Sequence, residues 1–128
     1  MIDHVSIAVL DLVRSGAFYD QVLAPLGLDR LVTREATVGY GKRYPEFWLN
    51  ARPGMTPIDE TTGSHVCLRA PTKDAVIAFH RAALEHGGSC GGAPGEREAA
   101  VTTYFGAFIH DLDGNKNEAV TFPRPDAP

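Results

Sequence analysis

Two segments of this chain repeat each other. His4-Val5-Ser6-Ile7-Ala8-Val9 is matched by His65-Val66-Cys67-Leu68-Arg69-Ala70. Further on, Phe18 is matched by Phe79 and Gly27 by Gly88, and the members of each pair lie 61 positions apart. One unit used twice argues for two paired modules, because a solenoid needs more copies to bury its core. The pattern also brings one histidine from each copy to an equivalent position, which is the beginning of a metal site.

Each copy reads as a strand followed by a helix. In residues 3–10, Val5, Ile7 and Val9 fall on one face and His4, Ser6 and Ala8 on the other, the alternation of a half-buried strand. Asp11 is placed to cap a helix carrying Phe18, Tyr19, Val22, Leu23 and Leu26 at helical spacing, which Pro25-Leu26-Gly27 ends. Strands are expected over 28–34, 36–41 and 45–50. Residues 51–63, punctuated by Pro53-Gly54, Pro57 and Gly63, read as a linker. In the second copy Val66, Leu68 and Ala70 form the apolar face, Thr72 takes the capping position, and Val76, Phe79 and Ala83 form the helix stripe before His86-Gly87-Gly88. A short edge strand is expected within the glycine-rich 88–96, and strands over 103–110 and 117–122, joined by the turn Asp111-Leu112-Asp113-Gly114-Asn115. The tail from Pro123 to Pro128 is expected to fray.

The expected fold is therefore α+β: one domain, 1–128, made of a βαβββ module (1–50), a linker (51–63) and a second βαβββ module (64–122). Sheets laid edge to edge would curl into a partly open, barrel-like cavity with the helices outside. Period-two alternation then points His4 and His65 inward.

Charge and composition narrow the function classes. The formal charge is −4 and Lys and Arg form no run, which excludes a nucleic-acid footprint. No apolar stretch is long enough to span a bilayer, and the N-terminus opens on a strand rather than a signal peptide. Cys67 and Cys90 have no metal-motif spacing and read as free thiols, so a reducing cytoplasm is expected.

Two histidines alone make a weak metal site. The last strand supplies a third donor, Glu118, in the apolar run Glu118-Ala119-Val120-Thr121-Phe122. An unpaired carboxylate is costly to bury, so a partner is expected. A divalent cation (Zn, Ni, Mn or Fe) held by His4, His65 and Glu118 would satisfy it and leave positions open for water or substrate. Either histidine alone reads as an ordinary strand residue. Both together with Glu118 favour ligation, the alternative being an ion pair of Glu118 with Lys116 or Arg69.

With these residues the chain resembles the vicinal-oxygen-chelate superfamily of glyoxalase I, fosfomycin- and bleomycin-resistance proteins and extradiol dioxygenases. The resemblance rests on Ile2-Asp3-His4-Val5-Ser6-Ile7, Phe18-Tyr19-Asp20, Val22-Leu23, His65-Val66, Tyr104-Phe105-Gly106-Ala107-Phe108 and Asp111-Leu112-Asp113-Gly114-Asn115 with Glu118, and spans nearly the whole chain. It implies paired βαβββ modules, a metal in the concave cavity at His4, His65 and Glu118, chelation of substrate oxygens, and a homodimer. It also implies a fourth ligand or base on the last strand of the first module. There Trp48 takes the slot, and indole is not a ligand; Glu46 would take it only if the register slipped. The site is therefore not that of a standard glyoxalase I.

Around this centre, Trp48, Cys67 and Phe108 are candidate pocket walls. Tyr104 is a candidate hydrogen-bond donor to an oxyanion, or a core tyrosine. His80, His86 and His110 read as surface or structural residues. Asp111, Asp113 and Asn115 do not fit an EF-hand loop, so the hairpin turn wins. The expected function is a metal-dependent small-molecule lyase, isomerase or dioxygenase, with Tyr104 and Glu118 at the reacting centre. The alternative is a non-catalytic protein that sequesters a small ligand between Trp48 and Tyr104. The substrate loops, near 51–63 and 88–102, carry no recognisable signature.

Overall fold

The structure, a computed structural model, describes residues 1–122; the tail expected to fray lies outside the described residues. The elements run β1 (Val5–Val9), α1 (Leu12–Leu23), a 3-10 turn (Ala24–Leu26), β2 (Asp29–Thr33), β3 (Thr37–Gly41), β4 (Phe47–Ala51), β5 (Val66–Arg69), α2 (Lys73–Glu85), β6 (Ser89–Glu98), β7 (Thr103–His110) and β8 (Lys116–Thr121). They form two four-stranded sheets of the same topology, β1-β4-β3-β2 and β5-β8-β7-β6. In each sheet the first strand runs parallel to the last, and the other pairs are antiparallel. No strand pairing joins the two sheets, so they do not close into a barrel.

Both helices start as their sequences dictate. Asp11 accepts a hydrogen bond from the Arg14 backbone N–H (3.1 Å) and Thr72 one from that of Ala75 (3.0 Å), so each satisfies an otherwise orphaned donor of the first turn. The helix ends break the repeat. The left-handed residues are Gly27 (φ 80°) and Gly87 (φ 100°). The closing bonds run from Leu28 N–H to Leu23 O (3.2 Å) and from Gly88 N–H to Ala83 O (2.8 Å). Structurally, then, Gly88 matches Leu28 rather than Gly27. It is needed for a different reason: a Cβ there would stand 2.6 Å from the His110 carbonyl oxygen.

The helices pack on each other and on one face of each sheet. A single core results, built from Phe18, Tyr19, Val22 and Leu23 of α1, Val76, Phe79 and Ala83 of α2, and Val38, Leu49, Ile109 and Ala119 of the sheets. Each large apolar side chain buried there contributes about 1.5–3 kcal/mol. A buried polar network also ties the two modules together. Tyr19 donates from its hydroxyl to Asp111 Oδ2 (2.6 Å) and accepts from Asn117 Nδ2 (2.8 Å). Asn115 Nδ2 donates to the Ala8 carbonyl (2.8 Å) and to Asp111 Oδ2 (3.0 Å). Burial holds the Asp111 pKa above the usual carboxylate value, even though it accepts from Tyr19, Asn115 and Asp113.

Two sequence expectations change in the structure. The edge strand within 88–96 is longer, a ten-residue β6 reaching Glu98. Its register shifts between Cys90 and Gly92 and again between Gly92 and Gly95. Those bulges hide the strand from a period-two reading, since each extra residue flips the alternation. The linker is also anchored: Ile58 N–H donates to the Asp113 carbonyl (2.8 Å), and Gly114 (φ 95°) leaves room for the Ile58 carbonyl, which a Cβ would meet at 2.6 Å. Among the described residues no helix is long and apolar enough to cross a membrane.

Candidate active site

Glu118 is the third residue of β8, after Lys116 and Asn117, and faces away from the helices. It stands opposite Cys67 on β5 and Phe108 on β7. Although it is only 5% exposed, its carboxylate has two partners. His65 Nε2 lies 3.2 Å from Oε1, and the Tyr104 hydroxyl donates to Oε2 at 2.9 Å. Burial, then the bond to and charge of Glu118, raise the Tyr104 pKa, so its hydroxyl stays protonated at neutral pH. Desolvation, followed by the Glu118 charge, pushes the Cys67 thiol up to about 12. Cys67 is thus an exposed but inert thiol, in keeping with the absence of an activating partner in the sequence.

The expected ligands are not equally placed. His65 and Glu118 are in contact, and the His65 ring sits edge-on to Phe108 with centroids 5.6 Å apart. His4 is more open (side chain 53% exposed), and its Nδ1 contacts Asp3 at 2.7 Å. His4 and His65 both line a cavity of about 580 Å³, which Cys67, Arg69, Glu46 and Lys42 also border. A smaller cavity of about 290 Å³, between Ser6, Ala8, Glu60 and Lys116, borders the other side of His65. Among the described residues, no three His, Cys, Asp or Glu side chains converge as a metal-holding group. The donor types nevertheless suit a borderline divalent cation: a buried carboxylate whose partners are an imidazole and a phenol, with a second imidazole on the same cavity.

The remaining candidates divide between the sheets. Trp48 stands opposite Ser6 and Gly39 in the first sheet, the place Glu118 takes between Cys67 and Phe108 in the second. The register therefore puts Trp48, and not Glu46, in the slot equivalent to Glu118. Its indole lies under the Arg34 guanidinium, 5.7 Å from the ring, and lines neither cavity. Trp48 and Tyr104 lie on different sheets. Phe108 lies beside Glu118 on the open face of the second sheet, with Lys116 Nζ 4.7 Å and the Arg97 guanidinium 5.3 Å from its ring centre. Arg97 escaped the sequence reading because its segment was taken for loop. The Gly91-Gly92 and Gly95 bulge glycines before Glu96-Arg97-Glu98 were the available sign of an edge strand.

Two sheets of one topology, each offering a histidine at the start of its first strand, restrict the possible families sharply. Residues 1–119 match the sequence model described as the Glyoxalase/Bleomycin resistance protein/Dioxygenase superfamily. The chain belongs to that superfamily. Among solved structures, a glyoxalase/bleomycin resistance protein from Albidiferax ferrireducens T118 is 33% identical, with 92% of this chain and 96% of that chain covered at a TM-score of 0.80. A putative glyoxalase from Bacillus halodurans (20% identity, 94% of each chain, TM-score 0.68) shares the fold. So does a glyoxalase I mutant from Zea mays (22% identity, 91% of this chain and 45% of that one, TM-score 0.71). No functionally curated protein matches. Within this glyoxalase superfamily fold, the open face of the second sheet is the one on which Glu118, His65 and Tyr104 touch.

Proposed function

We propose that this chain is a divalent-metal-dependent enzyme acting on a small molecule with two adjacent oxygens, in a lyase, isomerase or dioxygenase reaction. The observation that carries this reading is Glu118, a buried carboxylate whose hydrogen-bond partners are His65 and Tyr104 rather than a Lys or Arg. His65, Glu118 and His4 would hold the cation. When bound, it supplies Lewis acidity to the substrate oxygens.

The side chains do the rest. Tyr104 keeps its proton at neutral pH and can pass its hydrogen bond from Glu118 to an oxyanion on the substrate. Phe108 packs edge-on against the His65 ring. Trp48 can accept no proton, so a reaction needing a base on the first sheet is disfavoured, glyoxalase I isomerisation included. The reading includes a homodimer, in which His4 reaches the site from the same chain or from a second copy. It also includes a cytoplasmic setting, supported by two cysteines that are both free.

A second reading, sequestration of a small ligand without catalysis, draws on the separation of His4 from the His65–Glu118 pair. Metal analysis of protein purified without an affinity tag decides between the two. Stoichiometric metal that is lost in His65→Ala and weakened in His4→Ala supports the enzyme. Protein that takes up no Zn²⁺, Ni²⁺, Mn²⁺ or Fe²⁺ supports the binder. Light scattering checks the dimer, and a monomer at micromolar concentration would refute it.

A further inference from the structure

The open face of the second sheet carries an unusual charge distribution. By strand alternation Arg69, Lys116 and Arg97 share this face with Glu118. Three cations of the sheet therefore share this face with one carboxylate of the sheet, while Glu60 of the linker reaches its His110 end, on a chain whose formal charge is −4. Among the described residues neither Arg97 nor Lys116 forms an ion pair; the pairs that do form are His4–Asp3, Arg30–Asp20, His65–Glu118, Lys73–Glu96 and His110–Glu60. Both flank the ring of Phe108, the residue directly opposite Glu118.

Arg97 is the better defined of the two. It lies directly across from Tyr104, whose hydroxyl reaches Glu118, so the three form a row over neighbouring strands. One arm of its guanidinium donates to the Ala93 carbonyl, and a Cβ on Gly92 would come within 3.2 Å of that arm. A side chain at Gly92 would crowd both this arm and the Phe108 ring. The Arg97 Nε is shielded and has no hydrogen-bond acceptor. With this N–H enclosed and no carboxylate paired with the guanidinium, an incoming oxyanion would meet the remaining guanidinium N–H groups, whose fork geometry suits carboxylate and phosphoryl oxygens.

We propose that Arg97, supported by Lys116, is the specificity element for a substrate bearing an anionic group, a carboxylate or a phosphoryl oxyanion, next to the oxygens that a cation held by Glu118 would bind. Such a group would sit between the guanidinium and the ammonium over Phe108. Neutral substrates of the same shape would leave both cations unpaired. This deepens the proposed function by naming its substrate class, but the anion contact itself needs no metal.

The test is made on metal-free full-length protein by NMR, with three probes: pyruvate, its neutral methyl ester, and inorganic phosphate. The Arg97 Nε–H resonance should shift saturably with pyruvate or phosphate and stay still with methyl pyruvate. The anion that saturates at the lower concentration names the source as carboxylate or phosphoryl. With the Tyr104 ring as reporter, Arg97→Met should weaken that anion by about tenfold, and Arg97→Lys by less. If neither anion moves the resonance, or if Arg97→Met binds as tightly as the parent, the proposal is overturned. Metal content measured on the same preparation is independent. Protein that binds the anion through Arg97 but never takes up metal would sink the metalloenzyme reading and leave this one standing.

Discussion

The two sheets share a topology and place their first histidines alike, yet fill their open faces in opposite ways. In the second sheet the large residue is Phe108, on β7, and its neighbour on β8 is the carboxylate Glu118. In the first sheet the large residue is Trp48, on β4, and its neighbour on β3 is Gly39. A Cβ on Gly39 would meet the indole at 2.9 Å and Pro45 at 2.8 Å, so the glycine exists to seat the tryptophan. The two sheets thus share a backbone topology while the bulky aromatic sits on β7 beside Glu118 in one and on β4 beside Gly39 in the other.

The largest test of this contrast is Glu118→Gln. It keeps the shape and the partners but removes the charge, so metal uptake should be lost while the fold survives; retained stoichiometric metal by elemental analysis would mean that the second sheet is not the metal-bearing one. Next comes Cys67, which takes the position of Ser6. With its thiol up to about 12, the thiolate fraction at pH 8 is small and grows with every rise in pH until that value. Even allowing for the greater nucleophilicity of a more basic thiolate, alkylation should run about a hundredfold slower than at an ordinary thiol. Mass spectrometry should therefore find Cys90, beside His80 Nε2 at 3.1 Å, modified first, and Glu118→Gln should speed Cys67.

The modules must also be held together. Tyr19→Phe removes one hydroxyl that serves both Asp111 and Asn117, and the Asn117 Oδ1 already lacks a partner. Leaving that buried amide unsatisfied should cost about 1–3 kcal/mol, read as a lower urea midpoint at unchanged slope. The smallest expected effect is the most pointed. Trp48→Glu places a carboxylate opposite Ser6 and should tighten metal binding by about tenfold, with some stability lost from the indole's contact with Arg34. A titration showing no gain would mean that the sheets are equivalent in backbone alone.

Much of the fold was legible because it is written in local patterns. Asp11 and Thr72 announce helix starts, alternation marks β1 and β5, and Asp111 to Asn115 mark a tight turn. The ten-residue β6 was not legible: its glycine bulges break the alternation by which a strand is recognised, and Arg97 went unnoticed with it. The Gly27–Gly88 match was a coincidence of sequence, since the left-handed position moved to Gly87 when the second helical segment closed one residue earlier.

For the site, the chain alone pointed to His4, His65 and Glu118, because two histidines open matched segments and a carboxylate interrupts an otherwise apolar last strand. It could not say which of them touch. That depended on register and sheet packing, which bring His65 and Tyr104 onto Glu118 and leave His4 across a cavity. Residues far apart in the chain meet only when strands align, and the energy that aligns them comes from the buried face. The identity of the donors is local information; their distances are a property of the whole core.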